Sequence, residues 1–143
     1  MKVLFETSLL VAALVESLPQ HGRAAEQLRR SHEGEFDFCV AATALAELFA
    51  VLTTLPLSPR LMAGEARSLI RRNVVPKAEI VDLTGADYEA VIERMLELGL
   101  LGGVIYDALH VMAAEKAGAD RLVTINRRDF ERIPSQALEF VFL

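Results

Sequence analysis

The sequence predicts an α/β fold: a three-layer α/β/α sandwich around a mainly parallel sheet. Three observations carry this expectation. Short apolar runs recur along the chain at residues 2–6, 36–40, 78–83, 121–125 and 138–143. Longer segments with helical spacing separate them. The short runs are apolar on consecutive residues, as in strands covered on both faces, where a half-exposed strand would alternate.

Each element has a local reason. "KVLFE" at 2–6 reads as a buried strand that ends on a carboxylate. Thr7 or Ser8 is suited to cap a helix over 8–18, stopped by Pro19. A second helix covers 21–32, and "FDFCV" at 36–40 is the second strand. Thr43 is placed to cap "ALAELFAVLTTL", which stops before Pro56. "SPRLMAGEARSLIRRN" offers Ser58 as N-cap with Pro59 at the first helical position. After the strand at 78–83, Thr84 leads a helix closed by Gly99. Gly102 and Gly103 precede a helix running to about Gly118, and strands follow at 121–125 and 138–143.

The length of 143 residues fits one domain, 1–143. A hydrophobic share of 52% supplies a sizeable core. The formal net charge of −5 argues against a broad, sequence-blind nucleic-acid coat. It leaves room for an enzyme that grips RNA locally. The single cysteine, Cys39, rules out an intrachain disulfide and lies in an apolar run, as core filler does. No leader pattern and no membrane-length apolar run is present, so the expectation is a soluble, cytoplasmic protein without a membrane partner.

Three acids sit where apolar residues are expected. Glu6 follows "KVLF"; Glu47 is the only charged residue from Val40 to Leu57; Asp107 is the only one from Leu98 to Ala114. An unpaired buried carboxylate costs several kcal/mol or stays protonated. Two arrangements relieve this: pairing with buried Arg, or convergence on a divalent cation such as Mg²⁺ or Mn²⁺, which favour hard oxygen ligands. By spacing alone both stay open. His110, three residues after Asp107, reads as a packed helix histidine rather than a general base.

"VLFETSLLVAAL", "TALAELFAVL", "GGVIYDALHVMAAEKAGADRLVTINRRDF" and the last strand, in this order, resemble a PIN domain, most closely the VapC ribonucleases of toxin–antitoxin pairs. The resemblance implies that Glu6, Glu47 and Asp107 bind the metal. Asn126 stands at the fourth acidic position with Asp129 beside it, and Ser8 and Thr124 support the site. It also implies Mg²⁺- or Mn²⁺-dependent cleavage of single-stranded or loop RNA, a cognate antitoxin and a homodimer. Cleavage in that scheme leaves 5′-phosphate and 3′-hydroxyl ends. Arg127, Arg128 and Arg132 cluster past the fourth position, where they would grip RNA phosphates, meet an antitoxin or form a solvated face.

One departure stands out. The first acid of the family is normally Asp, in "DTS" or "DAS"; here it is Glu6 in "ETS". The extra methylene moves a carboxylate on the order of 1 Å, where catalytic groups tolerate about 0.5 Å. The alternative is therefore a catalytically impaired PIN-fold module that binds RNA or an antitoxin. A phosphoryl-accepting receiver domain also gathers acids after its first strand. That class needs paired acids there and a Lys after a late strand, and no Lys follows Lys116.

Overall fold

A computed structural model describes residues 1–143. Strand β1 (Lys2–Phe5) leads into helix α1 (Thr7–Leu14), and α2 (His21–His32) returns the chain to β2 (Asp37–Ala41). Helices α3 (Ala42–Thr54) and α4 (Ala63–Asn73) precede the short β3 (Glu79–Val81). Helices α5 (Gly85–Leu98) and α6 (Val104–Lys116) lead to β4 (Arg121–Thr124), followed by the one-turn α7 (Arg127–Phe130) and β5 (Glu139–Phe142).

The strands form one sheet in the order β3-β2-β1-β4-β5, and every pairing is parallel. Parallel neighbours need crossovers, and the helices supply them on both faces. Val3 and Phe5 join Phe38, Val40 and Val123 in a cluster covered by α1 to α4. Leu4 points the other way, joining Cys39, Ala41 and Leu122 in a cluster covered by α5 and α6. This two-sided burial is why "VLF" is apolar without alternation. Phe5 stacks on Phe38 at 5.1 Å between ring centroids and meets Phe36 edge-on at 6.1 Å. Cys39 is core filler: burial pushes its thiol up to about 12, far from a reactive thiolate.

Several boundaries differ from the sequence expectation. Helix α1 ends at Leu14, not at 18, because Val15 turns into the core in an extended conformation. Its cap is Glu6, not Thr7 or Ser8. Thr43 does not cap α3: the helix starts at Ala42, and the Thr43 hydroxyl is buried without a partner. Helix α4 starts at Ala63 rather than after Ser58. Leu57 and Leu61 pack back against the core, and the Glu65 carboxylate takes the Met62 amide at 3.0 Å. Strand β3 covers only Glu79–Val81. Thr84 and Asp87 form the expected start of α5, and Gly99 ends it in the left-handed region at φ 66°.

The chain runs outward from β1 to β2 and β3, then returns to β4 on the other side of β1. The sheet order therefore reverses between β1 and β4. Ligands of open α/β sheets collect at such a point, beyond the carboxyl ends of the strands. Glu6 directly follows β1 there, and Thr124 ends the neighbouring β4. No helix is long and apolar enough to cross a membrane.

Candidate active site

Glu6 is 5% exposed and is the N-cap of α1. One oxygen, Oε2, accepts the Ser8 amide at 3.0 Å, the Ser8 hydroxyl, and the Thr124 hydroxyl at 2.8 Å. Its Oε1 accepts no hydrogen bond from the chain. The helix start thus uses one carboxylate oxygen to satisfy its own orphan N–H and leaves the other unengaged. Thr124 is wholly buried and accepts the Asn126 amide at 3.0 Å, while the Ser8 hydroxyl accepts the Ile125 amide at 3.2 Å. Ser8 and Thr124 therefore hold Glu6 and tie α1 to the end of β4.

Glu47, midway along α3, accepts through Oε1 from His110 Nε2 at 3.0 Å. His110 lies one turn beyond Asp107 on α6 and has no exposed surface. Its Nε2 is also 3.4 Å from Thr7 Oγ1. Burial by itself pushes the imidazolium pKa down. The Glu47 hydrogen bond and the Glu6, Glu47 and Asp107 carboxylates outweigh it, and the net shift is upward.

The Asp107 carboxylate makes no hydrogen bond and no ion pair within the chain. Burial, then the charges of Glu6, Asp129 and Glu47, push its carboxyl up to about 7, against a smaller opposing pull from His110. Acids from four separate elements thus share one electrostatic environment. No Lys or Arg pairs with Glu6, Glu47 or Asp107, so the buried-Arg network is not what relieves them. The one basic partner is His110.

Asn126 caps α7: Oδ1 accepts the Asp129 amide at 3.4 Å and Nδ2 donates to Asp129 Oδ2 at 3.0 Å. Asp129 Oδ1 also lies 3.6 Å from Arg132. Arg127 is drawn aside, paired with Glu131 at 3.0 Å and stacked over Phe142 at 4.4 Å. Arg128 is exposed and makes no ion pair.

The donor set is all hard oxygen, which suits Mg²⁺ or Mn²⁺ over zinc. The charge balance also favours a cation: burial and the neighbouring carboxylates push the Asp107 carboxyl up to about 7, and a positive charge there would offset both. As placed, no three His, Cys, Asp or Glu side chains close on a single point. Glu6 and Glu47 each commit one oxygen to a protein donor.

The family model of the PIN domain matches residues 3–136. The chain belongs to the PIN domain family. Its fold matches VapC toxins of VapBC toxin–antitoxin systems. VapBC2 from Rickettsia felis, bound to a DNA fragment from its promoter, superposes with a TM-score of 0.67 at 23% identity over 98% of both chains. VapC20 from Mycobacterium tuberculosis, a sarcin–ricin-loop-cleaving toxin, gives 0.71 at 15% identity over 90% of this chain and 93% of its own. DNA-bound VapBC from Salmonella typhimurium gives 0.65 at 22% identity over 98% of both. At these identities the likeness is one of fold. No curated protein matches the sequence.

Within this PIN domain, sequence reasoning missed the bond from His110 to Glu47 and the contact with Thr7. The available signal was the three-residue spacing of Asp107 and His110, which puts both on one helix face. Nothing local in sequence pointed to α3 as the opposite wall.

Proposed function

We propose that this chain is a divalent-metal-dependent endoribonuclease, the toxin of a VapC-like toxin–antitoxin pair, built as a single PIN-like domain over 1–143. The observation that carries the reading is the gathering of Glu6, Glu47, Asp107 and Asp129 from four separate elements, with no Lys or Arg paired to Glu6, Glu47 or Asp107. Glu6, Glu47 and Asp107 would hold Mg²⁺ or Mn²⁺, with Asn126 and Asp129 alongside. A cation there supplies activation of water and neutralisation of charge on the attacked phosphate. Ser8 and Thr124 orient Glu6, and Arg128, which has no ion pair, binds RNA phosphates at the rim, while Arg127 is held by Glu131 and Phe142. The substrate is single-stranded or loop RNA. A cognate antitoxin and a second copy of the chain are the protein partners, in the cytoplasm.

A second reading has its own observation. Three donors hold one Glu6 oxygen at the helix cap. The longer side chain thereby serves its own backbone, which favours an impaired PIN module that binds RNA or antitoxin without cutting.

Cleavage of total RNA with Mg²⁺ or Mn²⁺, beside Glu6→Asp and Asp107→Ala, separates the readings. The nuclease reading expects cleavage that EDTA and Asp107→Ala abolish. Cleavage by Glu6→Asp alone establishes the impaired module. Silence from every variant, in the presence of metal, defeats the nuclease reading on these RNAs.

A further inference from the structure

His110 is a fully buried titratable side chain beside the acidic cluster, and the proposed chemistry leaves it without a task. Its surroundings are unequal at the two ring nitrogens. Nε2 faces Glu47 Oε1 at 3.0 Å and Thr7 Oγ1 at 3.4 Å. Nδ1 is buried with no partner at all. An ionised carboxylate only accepts hydrogen bonds, so a bare Nε2 lone pair against Glu47 would be repulsive. Nε2 must therefore carry a hydrogen, whether the ring is neutral or charged.

The ring, carried on α6, meets two other walls of the site. Glu47 comes from α3. Thr7 adjoins Glu6 at the start of α1. Asp107 precedes His110 by one turn on α6. A buried aromatic ring at this junction cannot rotate freely, because close-packed interiors leave no room.

We propose that His110 is a positioning residue: its Nε2–H fixes Glu47 Oε1 and so reserves Glu47 Oε2 for the cation, while its contact with Thr7 keeps α3 in register with the Glu6 cap. Ligand carboxylates are commonly oriented by such outer hydrogen bonds, and loss of one costs about ten- to a hundred-fold in metal affinity. The inference rests on the reading of the acidic cluster as a cation site.

The test is Mn²⁺ binding followed by electron paramagnetic resonance, with no RNA present. Four proteins are compared: the unaltered chain, Asp107→Asn, His110→Leu and His110→Gln. Gln places a donor near the position of Nε2; Leu fills space without one. The expected result is binding by the unaltered chain, its loss in Asp107→Asn, and about ten-fold or greater weakening in His110→Leu. His110→Gln should recover most of the affinity. If the unaltered chain binds and Asp107→Asn does not, yet His110→Leu binds as tightly as the unaltered chain, the cation site stands and the role of His110 falls. If the unaltered chain binds no Mn²⁺, both fall together. Should His110→Leu fail to fold, long-range ¹⁵N NMR of the unaltered chain decides instead. A hydrogen on Nε2 that responds to Glu47→Gln supports the proposal, and a bare Nε2 with the hydrogen on Nδ1 overturns it.

Discussion

Asp107 links the site to stability through a single proton. Burial and neighbouring acids push its carboxyl from the ordinary value of 3.8 up to about 7. Between these values the folded state binds a proton that the unfolded chain lacks. Its contribution to stability is therefore full below the ordinary carboxylate range and is lost as pH rises through about 7. Asp107→Asn removes this dependence. In EDTA, the urea midpoint of the unaltered chain should fall relative to Asp107→Asn as pH rises from about 4 to about 8; parallel curves would show that Asp107 is not perturbed. Thr124 acts at the same scale. It donates to Glu6 and accepts from Asn126 with no exposed surface. Thr124→Val keeps the shape, strands the Asn126 amide and removes one of three donors to Glu6 Oε2, at a cost of about 1–3 kcal/mol in urea unfolding. A midpoint unchanged by the substitution would mean that water replaces the hydroxyl.

Helix ends decide where the elements of the site begin. The start of α1 is set by a Glu whose carboxylate accepts the amide of Ser8, two residues ahead, a cap chemistry that a search for Ser, Thr, Asp or Asn passes over. The start of α4 is likewise set by tertiary packing of Leu57 and Leu61, which overrides the good local signal of Ser58 and Pro59. The end of α5 is the opposite case. Gly99 sits at φ 66°, and a Cβ added there would meet nothing within 4 Å. The penalty of Gly99→Ala is then backbone conformation alone, about 1–2 kcal/mol, read as a lower thermal midpoint. An unchanged midpoint would show that the turn after α5 rearranges freely.

At the scale of the whole molecule, the reversal of strand order between β1 and β4 brings the acids together, and their shared charge should couple cation binding to folding. A cation displaces the Asp107 proton, so binding is favoured above the pKa of about 7 and disfavoured below it. Mn²⁺ at millimolar concentration should raise the melting temperature more at about pH 8 than at about pH 5. Asp107→Asn should abolish the difference. An equal shift at both pH values would place the bound ion away from Asp107.

The α/β class, the order of the elements and the three displaced acids were all legible in the residues. Two-sided burial leaves uninterrupted apolar strands, and a carboxylate on an apolar element is conspicuous without any contact map. Ser8 and Thr124 were named through the family resemblance; that both hydroxyls bond Glu6 is visible only in the fold. Asn126 was readable as a cap from residue type alone. The pairing of Glu47 with His110 was not readable, because 63 residues and two helices on opposite sides of the sheet separate them. Nor was the diversion of Arg127 onto Phe142 and Glu131. Local chemistry writes itself into the sequence through periodicity and caps. Which acid gains a partner, and which oxygen stays free, depends on distances that exist only after the helices have packed on the sheet.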